Sequence, residues 1–136
     1  GRPQVLVMAY TSCRFACPRL LLDMKRIEDE LEGADIGFVL ASIDPARDTP
    51  GHLASYARGA RLDPDRWTLL TGEADAVMEL AAILGVQYRE TQPGEFVHSN
   101  LLTVLDAGGE IVHRQEGLGA DPTATVAVLR SLIADG

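Results

Sequence analysis

No apolar run in this chain approaches the roughly 18–20 residues that a membrane-spanning helix needs. A basic segment followed by a short apolar one, the mark of a secretory signal, is missing from its start. Basic residues are scarce, twelve Lys and Arg against twenty Asp and Glu, for a formal net charge of -8. That sign repels a phosphate backbone, which excludes nucleic acid as an expected partner. Repeats, low-complexity tracts and Pro-, Gly- or Ser-rich linkers are absent, and 136 residues are too few for two cores, so a multidomain machine is excluded. Cysteine is nearly absent: Cys13 and Cys17 are the only two. Two cannot staple a disulfide scaffold, and a pair this close would close only a tiny loop that adds little stability. Their proximity needs a chemical reason.

Apolar residues make up 46% of the chain and come in runs such as Val5-Leu6-Val7-Met8, which excludes disorder. Gly1-Arg2-Pro3 leads into that run without an initiator Met. The expectation is one trimmed domain over residues 1–136, its N-terminal anchor and first strands lying outside this sequence.

Strand and helix patterns alternate along the chain. Gln4 to Tyr10 reads as a strand buried on both faces. Pro18 suits the first turn of a helix whose apolar positions Leu20, Met24, Ile27 and Leu31 recur at helical spacing, with Gly33 past its end. Ile36 to Ile43 is a second buried strand, stopped at Asp44-Pro45. Thr49 and Pro50 open a helix to about Gly59. Trp67–Leu70 is a short strand, Glu73–Leu84 a helix with Ala74, Val77, Met78 and Ala81 on one face, and Val86–Arg89 a brief edge strand. Leu101–Leu105 and Glu110–Gln115 flank a tight turn over Asp106–Gly109. A helix capped by Asp121-Pro122 turns Val126, Leu129 and Ile133 inward. These elements predict an α/β fold, a central mixed β-sheet flanked by helices on both faces.

Cys13 and Cys17 fall where the first strand passes into its helix, the end at which open α/β sheets place their binding crevice. With Cys17 in the first turn, the two side chains project the same way and their Cα atoms lie roughly 6 Å apart. That spacing allows a disulfide or one shared metal ion. The helix N-terminus and Arg14 both favour thiolate over thiol. Three intervening residues argue away from the two-residue spacing of a thioredoxin redox motif without excluding a reversible disulfide.

Three motifs in order, Thr11-Ser12-Cys13-Arg14-Phe15-Ala16-Cys17-Pro18, Asp44-Pro45-Ala46-Arg47-Asp48-Thr49-Pro50 and Val97-His98-Ser99, resemble the SCO/SenC family of copper chaperones. The resemblance runs from about Val5 to Leu132. It implies a thioredoxin-like fold and a place outside the cytoplasm, in the bacterial periplasm or the intermembrane space, behind a membrane anchor. It further implies copper as the metal, Cys13, Cys17 and His98 as its ligands, and delivery to the dinuclear copper site of cytochrome c oxidase subunit II or another copper-accepting protein. The chain departs from the family in carrying Arg14-Phe15-Ala16 between the cysteines, where Pro and Asp are usual.

Two thiolates and an imidazole suit Cu(I), whereas structural zinc prefers four ligands. Cu(II) is the alternative oxidation state. Taken alone, His98, placed in a loop over Gln92–Val97 just before a strand, reads as a surface residue; the resemblance makes it a ligand. His52 and His113 read as solvated, and Met8, Met24 and Met78 as core. Asp44 and Asp48 have two readings: turn and cap residues, or acids behind the metal ligands that tune His98 or a partner surface. The main alternative function is a thiol-disulfide oxidoreductase in which Cys13 and Cys17 attack and resolve a substrate disulfide as a catalytic redox pair. A redox sensor or structural module is a third.

Overall fold

The computed structural model describes residues 2–12 and 16–135, the side chains at 16, 17 and 135 excepted. Five strands form the main sheet: β1 (Gln4–Ala9), β2 (Gly37–Ser42), β3 (Trp67–Leu70), β6 (Leu101–Leu105) and β7 (Ile111–Glu116), in the order β3-β2-β1-β6-β7. β1, β2 and β3 are parallel, while β6 is antiparallel to both β1 and β7. The sheet is therefore mixed, and the path of the chain switches sides at β1. Val5, Val7, Met8 and Ala9 are essentially inaccessible, as a run without polar alternation requires of a central strand.

The helices are α1 (Ala16–Glu30), α2 (Pro50–Gly59), α3 (Ala74–Leu84) and α4 (Thr123–Asp135). Leu20, Met24, Ile27 and Leu31 are all buried, so the periodicity read for α1 is the face it lays on the sheet. Trp67 shows which helices share a face. Its ring stacks on Phe38 at 4.9 Å, its Nε1 donates to Glu28 of α1 at 2.8 Å, and with Leu69 it lines a cavity against Leu53 and Ala57 of α2. Leu70, one residue on and so on the opposite face, lines a cavity of about 130 Å³ with Val77 and Leu80 of α3. Helices cover both faces, as expected.

Two expectations change. The edge strand foreseen at Val86–Arg89 is instead β4 (Tyr88–Gln92), and it pairs with β5 (Glu95–His98) in a separate two-stranded sheet. Pro93 and Gly94 make this hairpin: proline presets the first turn position, and Gly94 takes φ +80°, open to glycine at little steric cost. Met78 is exposed rather than core. The inward stripe of α3 is Val77, Ala81 and Leu84, at i, i+4 and i+7, and residue 78 is turned about 100° away from it.

The two methionines give a direct check. Met24→Ala, emptying a site with no solvent exposure, should cost about 2–5 kcal/mol in urea unfolding. Met78→Ala should stay within about 0.5 kcal/mol.

Candidate functional site

Because β1 and β2 are parallel, they leave the sheet at the same end, and because β6 is antiparallel to β1 it enters there. Register fixes this: Gln4 faces Leu105 and Val7 faces Leu102, so the start of β6 lies toward the end of β1. Segments far apart in sequence meet at that end: Tyr10-Thr11 after β1, the stretch from Ser42 at the end of β2 to Asp48, and β4–β5 before β6.

Asp48 organises the first two. It has no solvent exposure, so its carboxylate needs partners within the protein. Oδ2 accepts from the Thr11 N–H at 3.1 Å and from the Ser42 hydroxyl at 2.6 Å, and Oδ1 accepts the Thr11 hydroxyl proton. Ser42 Oγ in turn accepts the Asp44 N–H at 3.0 Å, and the Asp44 carbonyl accepts the Asp48 N–H at 2.8 Å. The segment entering the cysteine loop is thus fixed to a buried charge. Asp44, also buried, receives Arg47 Nη1 at 3.3 Å, and the same nitrogen lies 3.7 Å from Glu90 of β4. Glu90 accepts the Gly94 N–H at 3.2 Å, and a Cβ on Gly94 would come within 3.0 Å of Arg47 Nε. Arg47 fastens the hairpin to the loop after β2.

The hairpin carries His98. Along β5 alternate residues share a face, so Phe96 and His98 point together while Val97 turns outward and is exposed. Both rings meet Tyr10, Phe96 at 5.0 Å between centroids and His98 at 5.9 Å in an edge-on arrangement. The Tyr10 hydroxyl donates to the Phe96 carbonyl at 3.2 Å and accepts the Phe96 N–H at 3.1 Å. His98 Nδ1 lies 3.0 Å from the Ser99 carbonyl oxygen. A carbonyl only accepts, so Nδ1 carries the proton and the neutral ring has its lone pair on Nε2. Beside His98, burial raises the Tyr88 phenol above its ordinary pKa.

Of the residues singled out from the sequence, Cys13 lies outside the described residues. Cys17 is the second residue of α1, in the first turn as expected, and its side chain is outside the description. His98 is the last residue of a strand, not part of a loop. Asp48 is not the helix cap: Thr49 is, its side chain accepting the His52 N–H, which leaves Asp48 turned inward. His52 and His113 are more than solvated residues. His52 Nε2 lies 2.8 Å from Thr11 Oγ1, and His113 Nε2 lies 3.0 Å from Thr125 Oγ1. Tyr10, Ser42, Arg47 and Phe96 were not foreseen as parts of the site. The alternation Phe96/His98 beyond Pro93-Gly94 was the legible signal for one of them. Among the described residues, no three His, Cys, Asp or Glu side chains group to hold a metal ion, and no helix is long and apolar enough to cross a membrane.

The mixed sheet, its helices and this end of it define a thioredoxin-like protein. The fold matches that of a SCO1/SenC family lipoprotein from Bacillus anthracis str. Ames, with a TM-score of 0.88 at 22% identity over 97% of this chain and 82% of that one. It also matches Arabidopsis thaliana ScoI, solved with copper bound, with a TM-score of 0.83 at 23% identity over 100% and 86%. A SCO1/SenC family model matches residues 1–134, and the chain belongs to that family. Two curated relatives are the SCO1 protein homolog of Bacillus subtilis (strain 168), 24% identical over 83% of this chain, and a putative copper-binding protein of Stutzerimonas stutzeri, 30% identical over 82%. The match spans 61% and 56% of their respective lengths.

The buried carboxylate yields a prediction. Asp48→Asn places an amide N–H against donors that now meet a carboxylate, and should cost about 1–3 kcal/mol in urea unfolding. The Thr11 amide should lose hydrogen-exchange protection ahead of the β1 amides. Unchanged stability would show that the Asp48 contacts contribute little.

Proposed function

We propose that this chain carries copper as cargo: Cu(I) held by the thiolates of Cys13 and Cys17 and by Nε2 of His98, then passed by stepwise ligand exchange to a copper-accepting protein, cytochrome c oxidase subunit II foremost. The observation that carries this reading is the seating of His98 against Tyr10, three residues before Cys13 in the sequence. An imidazole that sequence separation would leave remote is brought to the end of the sheet where the cysteine loop begins.

The donor chemistry fits. Two soft sulfurs and an imidazole whose lone pair is on Nε2 suit Cu(I) in three-coordination. The nearby carboxylates are already engaged, Asp48 with Thr11 and Ser42 and Asp44 with Arg47, which disfavours the fourth ligand that structural zinc prefers. In this reading Asp48 acts behind the ligands by fixing Thr11, and Asp44 acts through Arg47 on the hairpin. Loading needs both sulfurs reduced. Oxidation of the pair by a partner disulfide, two electrons and two protons passing to that partner, joins the sulfurs to each other and withdraws them from copper. Thiol–disulfide exchange alone gives the imidazole no task, so copper carriage accounts for more of what is built here. Likeness to a lipoprotein supports a membrane-anchored place outside the cytoplasm for the full-length protein.

Anaerobic Cu(I) titration of the reduced protein against a chromophoric chelator tests the reading. We expect one ion per chain, with binding abolished by Cys13→Ala and weakened by His98→Ala at least as far as the roughly 10–100-fold typical of losing an outer-shell partner. Affinity unchanged by His98→Ala would favour thiol exchange.

A further inference from the structure

We infer that Tyr10 is the positioning residue for His98, its hydroxyl setting where the imidazole stands relative to the cysteine loop. The inference rests on the copper-carrying reading above, and it adds a residue that holds a ligand without being one.

Among the described residues, β4 and β5 pair only with each other and form a sheet separate from the main one. A two-stranded ribbon alone is marginally stable in water, so the position of a residue at its end depends on what ties the ribbon down. Arg47 ties the turn end at Glu90, whose carboxylate also accepts the Gly94 N–H. Near His98 the ribbon runs through Ser99 and Asn100 into β6, and Tyr10 adds a side-chain tie there. One hydroxyl meets both backbone polar groups of Phe96, donating to the carbonyl and accepting from the N–H. Those two groups face away from β4, so the phenol satisfies what would otherwise be an open strand edge.

Two features turn this tie into a positioning device. Phe96 and His98 are two residues apart on one strand, so fixing the Phe96 backbone fixes the face His98 presents. The Tyr10 ring also lies edge-on to the imidazole, limiting its swing. Tyr10 is joined to Cys13 by only two intervening residues, and the first of these, Thr11, is held by buried Asp48. The phenol therefore refers the imidazole to a segment already locked in the core. Loss of the hydroxyl keeps the ring that packs on Phe96 and His98 and releases this reference.

Tyr10→Phe tests the inference, alone and combined with His98→Ala. In the metal-free protein it should speed exchange of the Phe96 amide by roughly 5-fold and shift the His98 ring resonances, with β1 amides unaffected. On Cu(I) titration it should weaken binding by roughly 10–100-fold in the parent and leave the His98→Ala protein no weaker. An equal loss in both backgrounds would overturn the inference, because the hydroxyl would then act through the cysteine loop. Full affinity in Tyr10→Phe beside a weakened His98→Ala would overturn it and leave copper carriage standing. No effect of His98→Ala would defeat copper carriage itself, with the metal-free exchange and ring resonances still deciding whether Tyr10 positions His98. Should Tyr10→Phe prove too unstable to titrate, Phe96→Leu, which keeps the backbone bonds, should hold the Phe96 amide protected; its deprotection would overturn the inference.

Discussion

Antiparallel pairing of β6 with β1 is the constraint from which the site follows. A parallel strand in that place would begin at the opposite end of the sheet and carry His98 away from the cysteine loop. Four paired residues, Gln4–Val7 against Leu105–Leu102, bring together parts of the chain more than eighty residues apart. The pairing is sustained by burial: Val5, Val7, Leu102 and Val104 are almost wholly inaccessible. A slip of one residue would turn those side chains to the other face of the sheet.

At that end the core gives way to polar chemistry, and the transition is built around Asp48. A carboxylate without solvent is tolerable only when its lone pairs are met by donors. The donors here are the first residue of the cysteine loop and the last residue of β2. The buried charge thereby joins two connections that hydrophobic packing alone would leave loosely defined. Arg47 extends this network to Glu90 and the turn of the hairpin. The path from buried acid to hairpin is electrostatic and partly exposed, whereas the path from Tyr10 to Phe96 is local and neutral. The hairpin is held at both ends by different chemistry.

Much of the fold was legible because periodicity and punctuation agree. β1, β3, β6 and α1 through α4 stand within a residue or two of their expected places, and Thr49 caps α2 as its position before Pro50 suggested. What escaped the sequence was orientation at the margins. Met78 sits in an apolar stretch, but the helix needs only Val77, Ala81 and Leu84 to cover the sheet. The β4–β5 ribbon escaped because its residues are mostly exposed, and their charges dilute the alternation that identifies a half-buried strand. Asp48 read as a cap because Asp commonly caps helices; that it turns inward depends on Thr11, thirty-seven positions away, which no local pattern carries. Cys13, Cys17 and His98 were named from motif order, and Tyr10 was invisible as a site residue because a tyrosine closing an apolar strand reads as core.

The central claim is that one copper ion is shared by two sulfurs and the His98 imidazole. X-ray absorption on the Cu(I)-loaded protein, with His98→Ala alongside, tests it most directly. The account predicts a first shell of two sulfurs and one nitrogen, with the nitrogen and its imidazole outer-shell scattering lost in His98→Ala. A shell of sulfur alone, identical in both proteins, would contradict it.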